Sequence, residues 1–244
     1  MRVSACLITR NEEKNIERCL TSLPNNVDEI VILDGFSKDK TVQIARKFGA
    51  RVFQRKFSGS YSDERNYCAS LAENDWILML DADEVFDKLL RRELERITSK
   101  PQEKYSMYCC PRKTIRAGKF IFSYYSYPNF KPVLFNRKKC VYIGAVHEIL
   151  KVDGKRKFIR HHIIHYKERA KNTGPMQVRY NALAKKTKYK ITRSAFESAG
   201  NAWFIFRAML FGLGLYKSIG GWRYTFGYLL HLLSKRNSGP KKRR

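Results

Sequence analysis

The chain has 244 residues, 43% apolar and 29% charged, enough for a packed core and too apolar for wholesale disorder. Six cysteines at 6, 19, 68, 109, 110 and 140 show no CxxC or Cys/His spacing, which excludes a zinc module and a disulfide scaffold and suits a reducing compartment. The net charge of +27 divides unevenly: residues 1–100 hold 17 basic and 17 acidic side chains, and the remainder holds 32 and 5. The basic second part is expected to face phosphates, on lipid, nucleic acid or an anionic substrate.

The opening MRVSACLITRNEE reaches charge too soon for a signal peptide. Its apolar run 3–9 predicts a buried strand. Acids at the start of 12–23, with Ile16, Cys19, Leu20 and Leu23 at helical spacing, predict a helix that Pro24 ends. A second strand is expected over 29–34 and a helix from Thr41 to Phe48, stopped by Gly49 and capped by Ser37 or Asp39. A third strand follows over 51–54, a helix over 62–73, and a fourth strand over 76–80 that runs into Asp81-Ala82-Asp83-Glu84. Alternating strands and helices imply βαβ units and a parallel sheet, with ligands bound beyond the carboxyl ends of its strands. Thr9, Asp34 and Asp81 fall at three such ends, with Asp34 expected to be free at the sheet edge.

After residue 100 the pattern changes. Strands over 105–110, 133–135, 141–149 and 158–166, with an aromatic loop at 122–130, predict a mixed sheet meeting the parallel half. A basic helical pattern covers 175–200, and 198–233 interleaves Trp, Phe, Leu and Tyr with Arg207, Lys217 and Arg223. No uncharged run there reaches the roughly 18–20 residues that span a bilayer, so helices lying in a membrane interface are expected, against the alternative of a buried helical pair. The tail SGPKKRR is expected to be disordered. The implied organisation is 1–100, 101–195, 196–236 and a basic tail over 237–244.

Two carboxylates two residues apart at a strand end, Asp81 and Asp83, suit one hard divalent cation, or one cation and one ribose hydroxyl. A metal so placed neutralises a diphosphate leaving group. LITRNEEKNIERCL, EIVILDGFSKDKTVQIARKFGA, the DERN of 63–66 and NDWILMLDADE, in this order and at these separations, resemble the nucleotide-sugar half of the family 2 glycosyltransferases, of the GT-A fold. The small bacterial lipopolysaccharide-core type is the nearest resemblance. It covers residues 1–90 and continues through YPNFKPVLFNR, GAVHE and IIHY to about residue 170. The resemblance implies that Thr9, Arg10, Glu12 and Asp34 line the nucleotide base and ribose, with Arg65 also on the nucleotide side. In the Asp81-Ala82-Asp83 stretch, counted with the donor contacts, Asp81 would meet ribose or metal and Asp83 would ligate Mg²⁺ or Mn²⁺. The chain departs from the family's usual residues at Phe36, Asn129 and Val133, the last two on the acceptor side.

An inverting transfer needs a base that deprotonates the acceptor hydroxyl. Of the five acids beyond residue 100, Glu103, Asp153 and Glu168 fall among lysines or in turns and Glu197 in the tail helices. Glu148 is left, in a motif the resemblance also favours, with Glu84 as runner-up and a plain Glu148–arginine ion pair as the competing reading. His165 is a candidate for a metal or diphosphate contact, and His147 is placed to orient Glu148; His161 and His162 are read as structural.

The sequence therefore predicts a metal-dependent inverting glycosyltransferase of hexosyltransferase type. Its partners would be a nucleotide-diphospho-sugar donor, a lipid-linked or surface glycan acceptor and an anionic membrane surface. It would be peripheral on the cytoplasmic face of the membrane, with no specific nucleic acid. Two alternatives carry less: a nucleic-acid binder, against which stand the neutral first part and the lack of a reading module, and a nucleotidyltransferase, which wants a glycine-rich phosphate loop that RNEEKN lacks.

Overall fold

The computed structural model describes residues 1–100, 104–121, 129–145 and 148–167. The expected strands form: β1 (Val3–Thr9), β2 (Glu29–Asp34), β3 (Arg51–Gln54) and β4 (Trp76–Asp81) pair in parallel in the order β3-β2-β1-β4. The sheet is covered on both faces, so nearly every β1 residue is buried. Val3, Ala5 and Leu7 pack with Leu78 and Leu80 into one core; Cys6 packs with Ile77 and Met79 into the other. The period of two along each strand makes that division.

Helices α1 (Ile16–Thr21), α2 (Thr41–Lys47) and α3 (Tyr61–Ser70) follow the first three strands. α1 starts four residues later than the sequence pattern predicts. Residues 11–13 are instead tied to the loop after β2: Asn11 N–H donates to Ser37 Oγ at 2.8 Å, Glu12 N–H to Thr41 Oγ1 at 2.7 Å, and Glu13 N–H to Asp39 Oδ2 at 3.1 Å. Neither expected residue is the N-cap of α2, which is Lys40 with no side-chain cap bond; Asp39, one position earlier, accepts from the Thr41 N–H and hydroxyl, and Ser37 turns back to Asp34.

Two elements were not anticipated. β5 (Glu84–Phe86) follows Asp83 directly, and α4 (Lys88–Ser99) is capped by Asp87, which accepts from Leu90 N–H at 2.6 Å. Leu90, Leu94 and Ile97 bury one face of α4.

The second half is mixed, as expected. β6 (Tyr105–Arg116), β7 (Lys119–Phe120), β8 (Asn129–Asn136), β9 (Cys140–Ile143), β10 (Ile149–Val152), β11 (Lys155–Phe158) and β12 (Ile163–Lys167) complete the described elements. β8 runs antiparallel to both β4 and β6, and so joins the halves into one sheet ordered β3-β2-β1-β4-β8-β6-β12-β5. β9 and β10 pair separately. The predicted run 141–149 thus divides between two strands. The expectations for 122–128, His147, Glu103, Glu168, 175–200, the interfacial helices and the tail concern positions outside the described residues.

Candidate active site

The parallel register brings three strand ends to one edge: Thr9 lies opposite Asp34, and Ile8 opposite Asp81. Asp34 is fully buried, not free as expected. Its carboxylate accepts from Ser37 N–H at 2.8 Å, Gln54 Nε2 at 3.2 Å and Thr9 Oγ1 at 3.3 Å, and also from the Ser37 hydroxyl. These bonds clamp the β1 and β2 loops together, and Gly35 N–H adds a 2.8 Å bond to the Thr9 carbonyl. The clamped loop holds Asn11 and Phe36 at φ +55° and +57°. Asparagine tolerates that region; an aromatic residue rarely enters it. Phe36 is nonetheless 47% exposed. Arg10 is exposed beside this loop, and the Glu12 carboxylate accepts from Asn15 Nδ2 at 2.9 Å.

Asp81 sits between two cations. Arg65 Nη2 donates to Oδ1 at 2.6 Å and Lys131 Nζ to Oδ2 at 2.8 Å. Burial opposes ionisation, but Arg65 and Lys131 outweigh it and hold the Asp81 carboxyl well below the usual carboxylate range. Lys131 shows the mirror image: burial disfavours its charge, and Asp81 and Glu84 hold the ammonium above its ordinary value. Arg65 Nε donates to Glu148 Oε1 at 2.8 Å, so the guanidinium links the β4 end to the segment before β10. Arg65 Nη1 is buried without a hydrogen-bond partner among the described residues. Tyr142 lies under that guanidinium, 5.7 Å away, and burial pushes its phenol up to about 12.

Glu84 is fully buried. It accepts the Asp81 N–H at 3.0 Å and pairs with Lys131, and Arg112 Nη1 lies 3.6 Å from its other oxygen. It therefore shapes the Asp81–Glu84 turn: Oε2 faces Lys131 and the Asp81 N–H, and Oε1 has no hydrogen-bond partner among the described residues. Ala82 is buried in the core, so any contact it makes with a ligand runs through its backbone.

Asp83 and His165 meet across β5 and β12. His165 Nε2 stands 3.0 Å from Asp83 Oδ2, its Nδ1 stands 3.4 Å from Thr114 Oγ1, and Tyr166 N–H donates to the Asp83 carbonyl at 2.9 Å. Both side chains keep solvent access, 32% for Asp83 and 16% for His165. Among the described residues no group of three or more His, Cys, Asp and Glu side chains is placed to hold a metal.

Of the residues singled out from sequence, Arg65, Asp81 and Glu148 are thus bonded directly, as are Thr9 with Asp34 and Asp83 with His165. Arg10 and Glu12 sit on the β1 loop without a bond to these carboxylates. Lys131, central to the cluster, was missed; the available signal was one lysine inside the apolar strand NFKPVLFN. Arg112 gave no signal.

A family model described as glycosyl transferase family 2 matches residues 4–149. An uncharacterised glycosyltransferase of Rickettsia bellii is 41% identical over 108 residues, 44% of this chain and 36% of that protein. The chain spans about a third of the length of the Rickettsia relatives it matches. Two solved structures share the fold at 17% identity. S. aureus TarS 1–349 in complex with UDP-GlcNAc has a TM-score of 0.50 over 70% of this chain and 60% of that one. Glucosyl-3-phosphoglycerate synthase from Mycobacterium tuberculosis in complex with Mn²⁺, UDP and glucosyl-3-phosphoglycerate has a TM-score of 0.51 over 76% and 79%.

Proposed function

Since the chain belongs to glycosyl transferase family 2, we propose that it is an inverting glycosyltransferase moving a sugar, of hexose type, from a nucleotide-diphospho-sugar to a hydroxyl of a lipid-linked or surface glycan, as in lipopolysaccharide-core assembly. The observation that carries this is that β2 and β4, on either side of β1, end at one edge in Asp34 and Asp81, with Asp83 two residues beyond, in a chain of this family. Residues 1–100 form the donor half and the rest faces the acceptor and the membrane.

The donor set fits a divalent cation. An Asp oxygen and a His nitrogen 3.0 Å apart match neighbouring positions around a small ion with bonds of about 2.1 Å, and such ions commonly take their other ligands from substrate phosphates and water. Asp83 and His165 would hold Mg²⁺ or Mn²⁺, and the bound ion would neutralise charge on the departing diphosphate. The buried Arg65 Nη1, with no partner among the described residues, is a donor that a ligand oxygen can satisfy. Thr9, Arg10, Glu12 and Asp34 would frame the nucleoside. Glu148 would take the acceptor proton: Arg65 anchors Oε1, and Oε2 makes no hydrogen bond among the described residues.

The test is a thermal-shift series with UDP and GDP, with and without Mn²⁺. Ligand at 100 times its dissociation constant stabilises by about 2.7 kcal/mol. A Mn²⁺-dependent rise for one nucleotide is expected, and the absence of any rise overturns the donor reading. A second arm tests place of action. A peripheral position on the cytoplasmic face is proposed from the basic excess beyond residue 100 and the aromatic and basic residues interleaved over 198–233. Co-sedimentation with anionic vesicles at low salt is expected; its failure removes the membrane from the proposal.

A further inference from the structure

On the far side of β12 from His165 lies a concavity of about 270 Å³, lined by Lys14, Asn15, Arg18, Ile115, Ala117, Gly118, Tyr166 and Lys167. Among the described residues no carboxylate lines it. Among the described residues, none of Lys14, Arg18 and Lys167 forms an ion pair. Elsewhere Arg2, Arg51, Arg55, Arg65, Arg91, Arg112, Lys131, Arg137 and Lys138 each reach an acid.

One of the three cations is held in position without an acid. The Arg18 guanidinium lies 3.8 Å above the centre of the Tyr166 ring. Its Nη2 donates to Asn15 Oδ1 at 3.0 Å, and the same amide is oriented from its other end by Glu12, which accepts from Nδ2 at 2.9 Å. A guanidinium held over a ring by its central carbon keeps N–H groups at its edge, in the fork that matches phosphate oxygens. Lys14 and Lys167 bring two point charges to the same hollow from α1's approach and from the end of β12. The far wall is the β6–β7 turn, where Ala117 sits at φ +48° and Gly118 at φ +73°; a methyl and a hydrogen there leave the hollow open. Three like charges with no ion pair among the described residues repel one another, and an anion in their midst removes that repulsion.

We propose that this hollow is a phosphate-binding site, separate from the donor carboxylates, which takes a phosphate monoester or diester group. The volume is below the 300–1,000 Å³ usual for drug-sized ligands, so the ligand enters by one phosphate and little more. The source is a phosphate on a soluble molecule or a lipid headgroup; both present the same oxygens to Arg18, Lys14 and Lys167. The site is also coupled to the donor edge, because the residue that carries the ring, Tyr166, follows His165 and donates its N–H to the Asp83 carbonyl.

The experiment is a calorimetric titration of the full chain, in EDTA, with inorganic phosphate and with methyl phosphate, repeated on Arg18→Gln and Lys14→Gln. Saturable binding is expected in the parent, weakened at least tenfold in each variant, with thermal transitions within a few degrees of the parent's. Asp83→Asn should keep the phosphate response; this separates failure here from failure of the donor reading. A parallel arm uses vesicles of phosphatidylcholine with and without phosphatidylglycerol: loss of vesicle binding in Arg18→Gln assigns the site to a headgroup, and unchanged vesicle binding beside lost phosphate binding assigns it to a soluble phosphate. If Arg18→Gln does not fold, Lys14→Gln carries the test. Phosphate binding that is absent from the parent together with vesicle binding indifferent to both variants overturns the proposal, as does phosphate binding indifferent to both.

Discussion

The first hundred residues and those that follow solve the problem of charge in opposite ways. In residues 1–100, acids and bases are equal in number, and the acids at the strand ends are mostly satisfied locally. Asp34 is served by Thr9, Ser37 and Gln54, and Asp39 by Thr41 and Glu13. The second half has few acids of its own. Its buried or half-buried cations, Lys131 and Arg112, reach back to Asp81 and Glu84, 28 to 50 positions away in sequence, and His165 reaches back to Asp83. The first half therefore supplies most of the carboxylates, and the second adds Lys131, Arg112 and His165 to the first half's Arg65 as the groups that face them.

If that division is right, the largest effect comes from the carboxylate that stays open. Asp83→Asn keeps the shape and loses the anionic oxygen. We expect it to abolish Mn²⁺-dependent nucleotide binding by calorimetry and nearly all transfer. Unchanged metal-dependent affinity removes Asp83 from the site. Glu148→Gln should come next, lowering the transfer rate by roughly 10²–10⁴ with donor binding intact. Retention of more than a tenth of the rate moves the proton to another acceptor.

Two lysines of the second half sharpen the comparison further. Lys131 is 13% exposed in its side chain and pairs with Glu84, which is fully buried. Lys131→Met leaves that carboxylate with only Arg112 at 3.6 Å and one backbone N–H. Removing one partner of a buried pair costs about 3–5 kcal/mol, to be read from the urea midpoint. Lys138 pairs with Asp75 at 2.7 Å but is 71% exposed, and Lys138→Met should change stability by less than about 1 kcal/mol. Equal effects from the two would refute the idea that burial, and not pairing, sets the cost.

The legibility of the molecule from sequence follows the same line. β1 to β4, and the convergence of Thr9, Asp34 and Asp81, were legible because strand period and strand ends are local. The shortening of α1 was not, because Asp39 and Thr41 draw residues 12–13 into a loop from 26 to 29 positions away. α4 was legible in principle: Leu90, Leu94 and Ile97 have helical spacing. Lys131 and Arg112 were not, since a cation's partner across a sheet is fixed by the register of β8 against β4 and β6, which no short motif carries.

Acid should act on the two halves together. Asp81 ionises in the folded chain at lower pH than in the unfolded one, so its contribution is fully present above the unfolded value near pH 3.9 and is lost as pH falls below it. We expect the stability of the parent to drop below about pH 4. Without the Lys131 ammonium beside Asp81, Lys131→Met should show a shallower acid limb. Parallel pH profiles of the two proteins would mean that Lys131 does not hold Asp81 ionised.

The smallest effect concerns Phe36, where the first half departs from its own economy. An L-residue in the left-handed region costs roughly 1–2 kcal/mol, and Phe36 occupies it with its ring about half exposed. Glycine enters that region without strain but returns about 0.5–1 kcal/mol through the greater freedom of the unfolded chain. The two terms oppose, and the lost ring was only partly buried. Phe36→Gly should therefore raise stability by no more than about 1 kcal/mol. Asn11 holds nearly the same φ with a side chain suited to it, so Asn11→Gly should give no such gain. The nucleotide titration then decides what the strain serves. Phe36 follows Gly35, which lies against Arg10 and the Thr9 carbonyl in the loop that Asp34 anchors, so nucleotide affinity should fall in Phe36→Gly even as the fold gains. A stabilised variant with parental affinity would reduce Phe36 to a cost of the loop alone.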